Sequence, residues 1–143
     1  MPELSIPNFE EVSVGSLRLD PGEYVVNIQD KPEVKENRNG KPYLEVNMTI
    51  VEGPEQQEPD PSSGSKDPAG RNIRDNLYLV DGAYFRIKQL LVASGILARD
   101  DNESPIARGQ FNTDILVGTR FTVRLSTRMN NGKEYRDVAY VIQ

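Results

Sequence analysis

The residues with the plainest chemical potential are tyrosines interleaved with arginines and lysines. Two basic stretches flank Asn-Gly pairs: Lys31, Lys35, Arg38 and Lys41 around Asn39-Gly40, and Arg120, Arg124, Arg128, Lys133 and Arg136 around Asn131-Gly132. The second stretch contains one acid, Glu134. On an open sheet surface a tyrosine ring offers a stacking platform and the nearby cations neutralise adjoining phosphates, with stacking contributing about 1–3 kcal/mol per base. The competing structural reading is that exposed cations only keep sheet edges soluble. On that view a tyrosine beside an arginine is a cross-strand cation–π pair, worth about 0.5–1 kcal/mol where exposed.

Other chemistries are sparsely supplied. The chain has no cysteine, so disulfides and thiolate zinc sites are excluded, and no histidine, the commonest metal ligand and general base. Aspartate and glutamate can hold magnesium unaided, and Asp100, Asp101 and Glu103 form the tightest acidic cluster near the helix end. No lysine or glycine-rich phosphate cradle adjoins them, so a solvated loop is expected, with no catalytic residue, metal or cofactor. Net charge of −5 and a pI near 4.8 argue against coating duplex DNA by bulk attraction, because such affinity comes from phosphate neutralisation. Any nucleic-acid binding must use a local basic patch. The longest apolar run is too short for a bilayer, and Met1-Pro2-Glu3-Leu4 leads into no hydrophobic run. The expectation is a soluble, cytoplasmic protein with no membrane partner.

Stepping outward to the supporting elements, 143 residues suit one domain with a self-sufficient core. Residues 1–21 read as an extended N-terminal arm or extra edge strand, interrupted by Pro7 and Gly15, and residues 22–143 as the folded domain. Tyr24, Val26 and Ile28 alternate with polar neighbours, as do Leu44, Val46, Met48 and Ile50, which turns Tyr43 and Asn47 outward. Asn39-Gly40 suits a type I′ hairpin turn. That register, however, sets Lys35 opposite Leu44 and Glu33 opposite Val46, so a break or bulge is expected near Pro32, which cannot donate to a ladder. The finger 31–41 then projects as a basic tip.

Residues 53–70 are rich in Pro, Ser, Gly and Glu, with only Ala69 to bury, so a flexible loop is expected. Its functional alternative is an acidic flap competing for the basic face. A third strand, 71–80, points Arg74, Asn76 and Tyr78 outward and leaves Asp75 on the inward parity. A helix over 83–94 follows, capped by Asp81 and ended by Gly95, with Arg86 and Gln89 off its apolar stripe. After an acidic loop and a helical turn at 111–117, the last hairpin pairs Met129 with Glu134, Arg128 with Tyr135, Leu125 with Val138, Val123 with Tyr140 and Phe121 with Ile142. All apolar pairs then share one face, which fixes the register and puts Arg124, Arg128 and Tyr135 on the other. This order predicts an all-β fold with one helix: a five-stranded OB-like Greek-key barrel with its helix between strands 3 and 4, an architecture that usually binds rather than catalyses.

The segments GEYVVNIQD, KENRNGKPYLEVNMTIVEGP, IRDNLYL, FRIKQLLVASGI, VGTRFTVRL and NNGKEYRDVAYVI resemble, in order and spacing, a family of small phage proteins similar to OB-fold single-stranded-DNA-binding proteins. The resemblance covers residues 22–142. It implies a role beside phage replication or recombination proteins in an infected host cell. It also implies that outward positions carry the site: Tyr43, Asn47, Arg74, Asn76, Tyr78, Arg124, Arg128 and Tyr135. Two departures are the long 53–70 loop and the want of an acidic tail before Gln143, so recruitment through such a tail is not expected. Tryptophan is absent, which leaves stacking to tyrosine.

The expected function is therefore binding of single-stranded DNA with little sequence preference, in support of phage DNA replication or recombination. Lys35, Arg38 and Lys41 would close over the strand, Arg74, Arg124, Arg128 and Lys133 would neutralise phosphates, and Tyr43, Tyr78 and Tyr135 would stack bases. The alternative is a non-enzymatic phage structural or host-interaction protein that docks, or forms a homo-oligomer, through its N-terminal arm by strand addition. That reading predicts no dependence on Arg124 or Arg128.

Overall fold

In a computed structural model of the chain, residue 5, residues 19–60 and residues 63–142 are described. Period-two alternation gives strands β1 (Gly22–Asn27), β2 (Glu33–Glu36), β3 (Pro42–Glu52), β4 (Asn72–Tyr78), β5 (Arg120–Asn130) and β6 (Lys133–Tyr140), with one helix, α1 (Tyr84–Ala93), between β4 and β5. The fold is mostly β, as expected. Tyr24 and Val26, Leu44 through Ile50 at every second position, Ile73 and Leu77, Phe121 through Leu125, and Tyr140 all fall on one face and are buried. Leu90 and Leu91 of α1 pack against them. Most of this apolar area leaves water, each fully buried large side chain contributing about 1.5–3 kcal/mol.

The antiparallel sheet runs β2-β3-β1-β5-β6, with β4 on β3. Residues Tyr43–Glu45 of β3 pair with both β2 and β4, and Thr49 with both β1 and β4. Thus β1 and β2 share one edge of β3 and β4 takes the other. The strand number is six, not five, because the first expected strand is split. The split falls where a break was expected. Ile28 leaves β3 to exchange backbone bonds with Thr119 and Gly118, and Pro32, which has no N–H to offer, instead accepts from Thr113 Oγ1 at 2.8 Å.

The turn that follows corrects the expected type I′ geometry. Lys35 pairs with Tyr43 and Val34 with Leu44, so the loop holds three residues rather than two. Asn37 is the reason: its Oδ1 accepts from the amides of Asn39 and Lys41, both at 2.9 Å, an Asx turn that leaves only Gly40 at positive φ (78°) in this loop. In the final hairpin the expected turn does form, with Asn131 at φ 52° and Gly132 at φ 78°, and the expected β5–β6 pairs from Val123–Tyr140 to Met129–Glu134 are present, whereas Phe121–Ile142 falls outside the ladder because β6 ends at Tyr140.

Among the described residues no backbone ladder joins β4 to β6, so the sheet is open along that seam. Side chains span it. Asp75 of β4 accepts from Tyr140 of β6 and is clasped by both terminal nitrogens of Arg86 at 3.2 and 2.7 Å, while Arg86 also donates to the Val138 carbonyl. Arg86, expected merely to lie off the helix's apolar stripe, thus serves the seam. Asp81 makes no side-chain cap bond, because residues Asp81–Ala83 form a 3-10 turn ahead of α1. Gly95, at φ 83°, ends the helix as expected.

Residues 53–70 have more to bury than their composition suggests. Gln56 is 3% exposed; its Nε2 donates to the Tyr24 hydroxyl (2.8 Å) and the Pro54 carbonyl (2.9 Å), and its Oε1 accepts from the Asp20 amide (2.8 Å). Pro68 is buried and Ala69 exposed. Backbone bonds from Gln56 to Lys66 and between Asp60 and Ser65 shape the segment into a hairpin-like strap. Gly53 permits the close approach, since a Cβ there would sit 2.4 Å from Tyr24 Cδ1. Leu19, 3% exposed, joins the same core, so packed structure begins before Gly22. Residues 1–18 of the expected arm, apart from Ser5, lie outside the described residues.

Candidate nucleic-acid interface

The expected site divides into two clusters at opposite ends of the sheet. β3 rises about 3.3 Å per residue, so Tyr43 stands about 30 Å along it from Glu52, which pairs with Val25 and through it with Thr122. Arg124, Arg128 and Tyr135 lie beyond that level, on the part of the β5–β6 hairpin next to and past the start of β1. One group cannot complete the other.

The first cluster is built by β2, β3 and β4. Register sets Lys35, Tyr43 and Tyr78 in one row, Glu45 beside Asn76 in the next, and Asn47 beside Arg74 in the third. The Tyr43 and Tyr78 rings are half-buried, 5.5 Å apart between centroids and tilted by 49°, a spacing and tilt within the favourable range for aromatic pairs. Their edges stay wet. Lys35 donates to Glu45 Oε1 at 3.0 Å; this hydrogen bond raises the lysine pKa and lowers that of the carboxylate. Asn47 also donates to Glu45, at 3.3 Å. Arg38, Lys41 and Arg74 are exposed, and no ion pair holds any of them among the described residues. Arg38 and Lys41 stand at the finger tip beyond Tyr43. Exposed Asn76 faces outward beside them, as expected.

The second cluster is already occupied by the protein's own acids. Arg124 donates to Glu23 at 2.6 Å, and Arg128 Nε bridges both oxygens of Asp137 at 3.1 and 3.0 Å. The Arg128 guanidinium also lies 5.2 Å from the Tyr135 ring centroid. This is the cross-strand cation–π pair of the structural reading. Glu58, Glu134 and Asp20 line the adjoining recess under the strap, so a phosphate there would meet carboxylates. Lys133, at the hairpin tip, is exposed.

Sequence reasoning placed the tyrosines and cations on the outer face but missed the acids that engage them: Glu23 lies 101 residues from Arg124, while Asp137 and Glu45, 9 and 10 residues from Arg128 and Lys35, reach them across hairpins. Among the described residues no group of three or more acidic side chains could hold a metal ion, and no helix is long and apolar enough to cross a membrane. Asp101, from the one acidic cluster weighed for chemistry, spends its Oδ1 on the amides of Glu103 and Ser104, both at 3.0 Å. A hydrogen bond with the Ser104 side chain, and then those amide bonds, hold its carboxyl below the usual pKa. Compared with known proteins, the chain matches no family model and no curated protein.

Proposed function

We propose that the chain binds single-stranded nucleic acid, taken as DNA, across the β3–β4 face, in the manner of a small OB-like module serving phage replication or recombination. The architecture supports this reading. With β1 and β2 counted as one bent strand, the pairing is compatible with a five-stranded Greek key: the first strand pairs with the second and the fourth, and Arg86 of the helix bridges the third and fifth through Asp75 and Val138. Such barrels present the face of their second and third strands, here β3 and β4, to oligonucleotides.

The observation that carries the reading is the tilted Tyr43–Tyr78 pair with Arg74, Lys41 and Arg38 around it, none of them in an ion pair among the described residues. Two half-buried rings would offer stacking surface to bases whatever their identity, and the three cations would supply the phosphate contacts. The β5–β6 cluster is secondary, since each arginine there must first surrender an acid. Lys35 is in the same position with Glu45.

Fluorescence anisotropy with labelled oligothymidine over a salt series tests the proposal. Three released counterions give a slope of log affinity against log salt of roughly −2, at about −0.7 per phosphate on single strands. Flat anisotropy at low salt removes the proposal and leaves a structural or host-interaction role. A duplex of the same length should bind more weakly.

A further inference from the structure

On the helix side, away from the nucleic-acid face, a half-open groove of about 510 Å³ runs between α1 and residues 97–111, within the range of about 300–1,000 Å³ typical of ligand clefts. Its floor is aliphatic, formed by Ile87 and Leu91 of α1 with Leu97 and Ile106 opposite, and Phe111 closes one end. Lys88 and Arg108 are the only charged residues among the described ones that line it. Both are exposed, and neither forms an ion pair among the described residues.

The wall facing the helix is stiff. Ser104 Oγ accepts from the Ala107 amide at 3.1 Å, Asp101 Oδ1 ties down the start of the turn, and the amides of Arg108, Gly109 and Gln110 all bond back to carbonyls of residues 104–106. Tyr84 fixes the mouth by donating to the Leu79 carbonyl at 3.3 Å. A surface loop bonded this fully keeps an apolar trough open rather than collapsing into it, so an occupant meets little ordering cost. Asp101 lies near enough to act on Lys88 electrostatically, though the two form no ion pair among the described residues.

We infer that this groove docks a segment of a partner protein in which one or two apolar side chains are flanked by carboxylates. Charge decides the class of occupant. In a chain of net charge −5, an apolar trough whose only charges are two unpaired cations is complementary to an acidic peptide and repels a basic one. Two cations follow too short a track for a polynucleotide backbone. The groove and the β3–β4 face are separate surfaces, so both can be filled at once. This inference does not depend on the nucleic-acid proposal.

The test is titration of the whole protein with a short fluorescein-labelled peptide in which aspartates flank leucine and phenylalanine. A lysine-flanked version and an aspartate peptide without apolar residues serve as controls. The aspartate–apolar peptide should bind at least tenfold more tightly than either control and shift the NMR methyl signals of Ile87 and Ile106. Lys88→Glu and Arg108→Glu should each weaken it at least fivefold, with unchanged melting and unchanged oligothymidine binding. Equal binding of all three peptides overturns the inference. So does loss of oligothymidine binding in either variant, which would make the groove part of a nucleic-acid track. Tighter binding of a peptide copied from residues 4–14, whose Phe9-Glu10-Glu11-Val12 has the same character, would replace the foreign partner with the chain's own arm.

Discussion

The Tyr140 hydroxyl donates to Asp75 Oδ2 at 2.6 Å, joining β6 to β4 across the gap that no backbone ladder closes among the described residues. Arg86 lies 5.8 Å from the Tyr140 ring centroid and completes the cluster through its two bonds to Asp75. One carboxylate therefore organises three elements. An isolated buried charge would be costly, but Asp75 receives three donors on two oxygens, which offsets its desolvation.

Removing the hydroxyl by Tyr140→Phe leaves the ring in place and deletes one charge-assisted bond, a loss of about 1.5–3 kcal/mol. Differential scanning calorimetry should record a melting temperature lower by about 5–10 °C. Asp75→Leu alone should cost more, since it leaves the Arg86 charge without its partner. Adding Arg86→Met to Asp75→Leu should recover part of that loss, as apolar replacements of buried ion pairs often do. Strict additivity would mean the cluster is not a unit.

Burial, then the Asp75 charge and hydrogen bond, push the Tyr140 phenol well above its ordinary pKa of 10.0. Because the folded state holds this proton more tightly than the unfolded chain, the stabilisation is complete below pH 10 and disappears as pH climbs from there toward the folded-state value. Tyr24, raised chiefly by burial, acts in the same direction. Urea midpoints measured in that alkaline window should fall with pH, and Tyr140→Phe should flatten the decline. An identical slope in the variant would assign the effect elsewhere.

Gln56 holds the strap to the barrel end through Asp20, Tyr24 and Pro54. Gln56→Ala strands the Asp20 amide and takes one donor from the Tyr24 hydroxyl, which keeps its own bond to the Asp20 carbonyl, and should destabilise by about 1–3 kcal/mol. Hydrogen exchange at the Asp20 and Gln57 amides should accelerate with it. Gly53→Ala drives a methyl into the Tyr24 ring, an overpacking cost of about 1–3 kcal/mol. Native stability in both variants would mean that the strap is dispensable.

Tyr43→Ala and Tyr78→Ala should each weaken oligothymidine binding by about 1–3 kcal/mol, roughly 5- to 150-fold. Arg74→Glu should weaken binding and flatten its salt dependence. Arg124→Glu and Arg128→Glu should change affinity little, because their guanidinium groups already serve Glu23 and Asp137. The reverse ranking would move the track to the β5–β6 hairpin.

What the sequence made legible was local. Asn131-Gly132 announced its turn because the required positive φ belongs to those two residues, and the whole β5–β6 register followed. Pro32 announced a break because its missing N–H is a property of one residue. Asn39-Gly40 misled, since Asn37, two positions upstream, captured the loop amides first. Asp75 was visible as a polar residue at an inward position, yet its donors lie 11 and 65 residues away, beyond any periodicity. Composition hid Gln56: a polar loop reads as solvated until the third dimension supplies three partners for one amide. The outward face was read correctly, whereas which of its cations are engaged depended on acids brought in by other strands.

The finger between β2 and β3 can be lengthened without repercussion inside the molecule. β3 is bonded on both edges over much of its length, so one inserted residue there would throw three neighbouring strands out of phase. An insertion at Asn39-Gly40, where no Cβ at Gly40 would meet another atom, shifts none of them. Evolution can therefore tune how far this appendage reaches beyond the sheet almost independently of how well the protein folds.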